Sequence, residues 1–375
     1  MKRTMKKMVS MALTGTMAVA VLAGAGTSEV KAADKAKIGV LVADVSGEEA
    51  QGFRSYYENY IAGNYDVEFN YTDALQSAED EKTAIEKFAS QGCQAIISFS
   101  SNDRVQQIET CEKYGVYYAV ASGVLDDAQY ETYKTYEYFA GQVGPGNDTE
   151  FEAGKDMGAY YKEQGVSKVA IYGAFIPNPM HVYRVAGVLN GLGCTYGGES
   201  DMNAIAGQIF QDQTVDLSKV EGDVEVVSYL QGYGDTTTDE LNAAIQKTPD
   251  AFISVGMATT FFAQSLSEAG ISFSDIDSFT ETNGNSMKNG TLTYLAGKYS
   301  SSIGPVFALV MNAINGNVIR DEDGNAPSIS QGYLVATDSD TFDKYSVSDS
   351  GDAPIYDKET LDSIIGDNVT FEDVK

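Results

Sequence analysis

From Lys35 onward, apolar runs of strand length alternate with stretches of helical periodicity. Ile38-Gly39-Val40-Leu41-Val42 is continuously apolar, the pattern of a strand buried on both faces. Residues 50–61 then set Phe53, Tyr56, Tyr57 and Tyr60 at helical spacing, which predicts a core-facing aromatic stripe. Residues 67–71 alternate, residues 78–89 form an amphipathic helix, and residues 95–99, 105–114 and 116–120 read as strand, helix and strand. Strands alternating with helices in this way predict a parallel, doubly wound sheet.

The pattern restarts further along. Residues 151–164 and 182–192 read as helices around a strand at 168–172, and strands at 224–229 and 252–255 each precede a helix, at 239–247 and 259–269. Between the two halves, 141–148 is loop chemistry after a strand at 136–140. A second Gly/Asn-rich passage, 283–290, precedes a strand at 291–295, a helix at 306–314 and a late strand at 333–337. Two α/β lobes are therefore expected. The acidic segment 346–375 reads as a solvated surface tail.

The first thirty residues follow neither pattern. Lys2, Arg3, Lys6 and Lys7 precede a mostly apolar stretch, and Val30-Lys31-Ala32 supplies small or β-branched residues at a cleavage site. Residues 1–32 read as an export signal. Val21-Leu22-Ala23-Gly24 looks like a lipobox, but Ala25 follows it where a lipidated protein has Cys. The protein is expected to be exported and extracytoplasmic, with no lipid anchor.

Charge and composition narrow the chemistry. The 375 residues hold 54 acidic and 25 basic side chains, a formal charge of −29, which opposes nucleic-acid binding. One histidine and three cysteines leave little for a metal site or a disulfide framework, and no metal or cofactor is expected. Cys93, Cys111 and Cys194 read as buried, unreactive thiols. Asp321-Glu322-Asp323-Gly324-Asn325 has its Gly two places early for a calcium loop and lacks the Glu, so it reads as a turn.

Several passages together resemble the type I periplasmic binding proteins, the substrate-binding subunits of bacterial ABC importers. They are Lys37-Ile38-Gly39-Val40, Gln91-Gly92-Cys93-Gln94-Ala95-Ile96-Ile97, Phe139-Ala140-Gly141-Gln142-Val143-Gly144-Pro145, Arg184-Val185-Ala186-Gly187, Ser267-Glu268-Ala269-Gly270-Ile271, Gly290-Thr291-Leu292, and Gly304 with Ala313-Ile314-Asn315-Gly316. The resemblance covers about residues 35–340. It implies two doubly wound Rossmann-like lobes with parallel sheets, joined by a three-crossover hinge near 141–147, 280–284 and 332–338. Lobe one would be 35–143 with 281–331, and lobe two 144–280 with 332–345. It further implies a monomer that captures a small polar ligand, a sugar above all, and delivers it to an ABC permease without catalysis. A nucleoside ligand, or a loaded sensor docking on a membrane receptor, stays open. The chain departs from the sugar-binding pattern at Ser46-Gly47-Glu48-Glu49-Ala50, Val255-Gly256, Phe279-Thr280-Glu281 and Lys298.

Open α/β sheets bind ligands at the carboxyl ends of their strands. That rule selects Asp44, Ser46 and Glu49 after the first strand, Ser100, Ser101 and Asn102 after the third, and Ser122 after the fourth. Asn102 reads equally as a helix cap. In lobe two it selects Phe175, Asn178, His181 and Arg184, then Gln231, Tyr233 and Asp235, then Met257, with Glu281 at the second crossover. Arg184 leads because its fork of donors suits a hydroxyl pair or carboxylate, the alternative being a structural arginine. Phe175 or Tyr233 would stack on a ring, and His181 is either a ligand contact or a surface histidine. Asp44, Glu49 and Asp235 also leave an acid–base hydrolase as a contrasting reading.

Overall fold

The structure is a computed structural model that describes residues 35–349 and 353–375; the expected export signal lies outside the described residues. Lobe one carries β1 (Ala36–Leu41), β2 (Val67–Tyr71), β3 (Ala95–Ser98), β4 (Tyr117–Ala121) and β5 (Phe139–Gly144). Lobe two carries β6 (Lys168–Tyr172), the short antiparallel pair β7 (Thr195–Tyr196) and β8 (Val220–Glu221), then β9 (Glu225–Leu230), β10 (Ala251–Ser254), β11 (Ser272–Ser278) and β12 (Leu292–Lys298). Two late strands, β13 (Ser328–Ser330) and β14 (Leu334–Ala336), each return to a different sheet.

Sheet one runs β13-β5-β4-β3-β1-β2 with every pairing parallel. Sheet two runs β14-β12-β11-β10-β6-β9, parallel except for β14. Both are doubly wound, because helices cover both faces and the central strands are buried on both sides. In β1, for example, Ile38, Val40 and Leu41 are all fully buried. The strand order reverses between β1 and β3 in one sheet and between β6 and β10 in the other, and these switch points open toward the cleft.

The predicted aromatic stripe is core. Helix Glu48–Ser55 continues into a π-helical stretch, Tyr56–Ile61. The wider turn lets the adjacent Tyr56 and Tyr57 both lie buried. In lobe two, helices Asn147–Glu163 and Pro179–Gly191 cross without intervening side chains. A Cβ on Gly187 would sit 2.0 Å from the Phe151 carbonyl oxygen, and one on Gly154 the same distance from that of Arg184. Only glycine permits this approach. Asn178 caps the second helix through the Met180 amide at 3.1 Å, with Pro179 at the first turn.

Two boundaries differ from the sequence expectation. The segment at 139–144, expected as a loop beyond residue 140, is a buried strand; its glycines permit close contact, Gly144 against Gly123 and Gly141 against the Pro327 carbonyl. The second crossover lies at 299–303, not 280–284. Strand β11, Ser-Phe-Ser-Asp-Ile-Asp-Ser, has no apolar run because Ser274 and Asp275 are buried polar residues, and it pairs with β12 inside sheet two. Helix Glu281–Lys288 between them buries Met287 in the lobe-two core, so 281–298 belong to lobe two.

The C-terminal segment is also not a solvated tail. Leu361 is fully buried and Val374 nearly so, both against the apolar helix Gly304–Ile314 of lobe one. Buried Asn312 donates to the Ile364 carbonyl and accepts from the Gly366 amide, both at 2.8 Å. Asn317 donates to the Gly366 and Val369 carbonyls at 2.7 and 3.0 Å. The charges face outward and the apolar residues inward.

Candidate functional site

The strand ends of lobe one and the helix starts of lobe two enclose a cavity of about 1180 Å³. Its lobe-one wall comes from the segments after β1, β3, β4 and β5, and its lobe-two wall from Asn147–Glu150, Asn178–Met180, Tyr183, Met202, Asn203, Phe210 and Lys298.

Of the predicted residues, Asp44, Glu49, Ser101, Asn102, Ser122 and Asn178 line this cavity. Asp44 accepts from the Ser46 amide at 2.9 Å, the Ser46 hydroxyl at 3.0 Å and the Gly47 amide at 3.0 Å, and these bonds lower its pKa. Ser46 is thus committed to the loop. Glu49 reaches across the cleft, 3.4 Å from Lys298 Nζ, and accepts from the Ser278 hydroxyl at 3.3 Å.

The loop after β3 is held from below by Glu81, which is fully buried on helix Ala78–Ser90. Its carboxylate accepts from the Ser100 hydroxyl, from the Asn102 amide and side chain at 2.9 and 3.0 Å, and from the Asp103 amide at 3.0 Å. Burial works to raise the Glu81 pKa, and these bonds outweigh it and hold the group ionised. Ser100 is therefore buried beneath the cleft rather than lining it. The loop presents Ser101, Asp103 and Arg104 instead. The helix cap is Asp103, which accepts from the Gln106 amide at 2.9 Å, and not Asn102.

Arg104 lines the cavity and was not among the residues the strand ends selected. It lies under the Ser122-Gly123-Val124 turn, donates Nη1 to the Val124 carbonyl at 2.6 Å, and leaves Nε buried without a protein partner. Burial lowers its pKa. It stands two positions past Asn102, so extending the strand-end rule by half a helical turn would have reached it. Aromatic rings were missed for another reason: Phe53, part of the core stripe, also lines the cavity, and Phe99 read as the end of a strand. They stack at 5.4 Å on the lobe-one side, while Tyr183 meets Phe210 edge-on at 6.4 Å on the lobe-two side.

Arg184, the leading candidate from sequence, is committed elsewhere. It is 3% exposed, with Nε 2.6 Å from Glu150, Nη1 2.8 Å from the Val255 carbonyl and Nη2 2.6 Å from the Tyr333 hydroxyl. The fork joins the helix after the first crossover to the third crossover. His181 beside it is buried, its Nδ1 3.1 Å from the Phe175 amide. Burial first, and then the Arg184 charge, push its pKa down to about 4. His181 is an internal neutral imidazole, neither surface residue nor cleft contact.

The other lobe-two candidates lie outside the cavity. Phe175 packs on the core and meets Tyr233 edge-on at 5.7 Å. Tyr233 is 70% exposed and stacked on Phe261, and the exposed Met257 precedes helix Ala258–Ala269. Gln231 donates to the Gln213 carbonyl at 3.1 Å, and Asp235 is exposed at the start of helix Asp235–Gln246. Glu281 opens the exposed start of the lobe-two helix that follows β11, because the crossover expected there is elsewhere. Strain also gathers at these strand ends: Ser122, Ala174 and Met257 adopt positive φ of 55°, 51° and 68°.

Among the described residues no group of three or more His, Cys, Asp or Glu side chains is placed to hold a metal, and no helix is long and apolar enough to cross a membrane. The three cysteines are free and buried.

No protein-family model and no curated protein matches the sequence. Solved structures do. The periplasmic binding protein component of the arabinose ABC transporter from Shewanella sp. ANA-3 is similar with a TM-score of 0.59 at 16% identity, over 82% of this chain and 94% of that one. A solute binding protein of a Bacillus halodurans ABC transporter, with bound myo-inositol, gives 0.59 at 16% identity over 84% and 99%. One from Actinobacillus succinogenes, with bound D-allose, gives 0.62 at 17% identity over 83% and 100%. Two parallel-dominated α/β lobes, strand ends facing a shared cleft and these likenesses together show that the chain has the type I periplasmic-binding-protein fold.

Proposed function

We propose that this protein captures a neutral polyhydroxylated ligand, a monosaccharide or cyclitol, between its lobes and delivers it to an ABC importer. The observation that carries the reading is the cavity wall. Asp44, Asp103, Asp126, Asp127 and Asp148 supply acceptors for hydroxyl protons, and Arg104 supplies buried donors for a hydroxyl or ring oxygen. Phe53 and Phe99 offer a flat surface for the C–H face of a ring. Carboxylates outnumber cations along the wall, which disfavours sugar phosphates and sugar acids. The arabinofuranose, myo-inositol and D-allose bound by the similar structures agree with such a ligand.

Hinge closure is the transported signal in this reading, because a ligand that touches both walls stabilises the closed state and an importer recognises it. Export of the chain, its action as a monomer and the absence of turnover belong to the same proposal. The aromatic pairs on both walls favour a nucleoside as the second reading.

The test is a thermal-shift and calorimetry screen with pentoses, hexoses, inositols, nucleosides and sugar phosphates. A ligand at 100 times its Kd adds about 2.7 kcal/mol of stability. A neutral sugar or cyclitol recovered unchanged after binding is expected. A nucleoside as the sole hit moves the assignment to the second reading, and binding confined to anionic sugars overturns both.

A further inference from the structure

The chain crosses between its lobes a fourth time, after the three crossovers of the hinge. Helix Ser339–Asp349 lies on lobe two, where Phe342 is 2% exposed and meets Phe279 at 5.4 Å, with Lys288 paired to Asp343 at 2.9 Å. Helix Lys358–Ser363 lies on lobe one, with Leu361 in the core and Tyr65 donating to Asp362 at 2.8 Å. Both attachments are made of buried apolar side chains and specific polar contacts.

Tyr356 sits at the joint and packs against the cores of both lobes. Its carbonyl accepts from the Tyr56 hydroxyl at 2.5 Å, and its amide faces Ser301 Oγ at 3.4 Å in the second crossover. Gly304 makes the room, since a Cβ there would stand 2.7 Å from that of Tyr356.

Chain geometry turns these attachments into a limit. Asp349 and Ala353 are four residues apart, so their separation never exceeds about 14 Å, whatever the lobes do. The three crossovers alone leave opening and twist to the hinge backbone. A fourth tie beside the second crossover restrains both.

We propose that residues 353–375 restrain the opening of the two lobes, with Tyr356 as the wedge that sets their resting angle. The fraction of molecules near the closed geometry then rests on this segment, and apparent affinity scales with that fraction.

The experiment requires no ligand. Spin labels at Val45→Cys and Asp235→Cys report the distance across the cleft, since both positions are exposed on opposite lobes while the native thiols are buried. Twelve Gly/Ser residues inserted after Asp349 lift the limit by about 40 Å and leave every described contact in place. The expected result is a distance distribution that broadens and shifts outward in the insertion variant. Tyr356→Ala shifts the mean the same way, and Tyr356→Phe, which keeps the ring, does not. Distributions that superimpose on the parent in both the insertion and Tyr356→Ala variants overturn the proposal, even if the melting temperature falls.

Discussion

The Arg184 guanidinium grips Glu150 with Nε at 2.6 Å and Nη2 at 3.3 Å, and both side chains are 3% exposed. Tyr333 completes the set by contacting both, 2.6 Å from Arg184 Nη2 and 2.9 Å from Glu150 Oε2. Three segments distant in sequence converge on one buried charge pair, and two of them adjoin crossovers. The pair ties the two lobe-two helices to the third crossover. Removing one partner of such a pair strands the other in the interior, at about 3–5 kcal/mol. Arg184→Met is therefore expected to lower the denaturant midpoint sharply. The double variant Arg184→Met/Glu150→Gln should recover part of that loss, which a double-mutant cycle measures.

Arg104 is expected to behave in the opposite way. It makes one protein hydrogen bond and buries an unpartnered Nε, so the fold gains little from it. A charged hydrogen bond to ligand contributes about 1.5–3 kcal/mol. Arg104→Ala should weaken sugar or cyclitol binding by about 10- to 150-fold by calorimetry while the melting temperature stays near the parent's. Lys in its place restores charge but not the planar fork, and should not restore affinity.

His181 makes stability depend on pH. Its folded pKa of about 4 lies below the unfolded value near 6.5, so the unfolded chain binds the proton more readily in that window. Its contribution is complete above pH 6.5 and is lost as pH falls toward 4, by about 3 kcal/mol in all. The difference between parent and His181→Gln unfolding free energies, followed from pH 7 to 4, should shrink by about that amount. A pH-independent difference would place the imidazole in water.

Two glycine substitutions should separate close packing from helix propensity. Gly187→Ala places a methyl 2.0 Å from a backbone oxygen, so the two lobe-two helices must part, at about 1–3 kcal/mol. Gly207 lies in helix Met202–Asp212 with nothing within 4 Å of an added Cβ. Gly207→Ala should stabilise by about 0.4–1 kcal/mol. Chemical denaturation of the two variants reads both signs.

Strands such as β1, β3 and β10 were legible because their apolar runs admit no other reading, and the aromatic stripe was legible from its period. Strand β11 was not, since burying Ser274 and Asp275 depends on partners outside the segment: Ser254 and the Thr259 amide satisfy the Asp275 carboxylate. The tail misled because net charge conceals sparse anchors such as Leu361. At the site, the strand-end rule selected the edge of lobe one that lines the cavity. It could not separate residues that face the cleft from those that brace it. Arg184 and Ser100 brace, and Arg104 faces inward, yet all three follow strands in the same way. Only the position of Glu150, Tyr333 and Glu81 tells them apart.

The docking of residues 361 and 374 against a lobe that begins at Ala36 also orders events in time. Tyr56 and Tyr356, 300 positions apart, share a hydrogen bond, so the first lobe to be synthesised is the last to be finished. Until residues 361–374 have been made, the apolar face of helix Gly304–Ile314 that meets them has no cover. Contacts of this sequence separation fold slowly. Lobe one therefore cannot complete its core until residue 374 has been made.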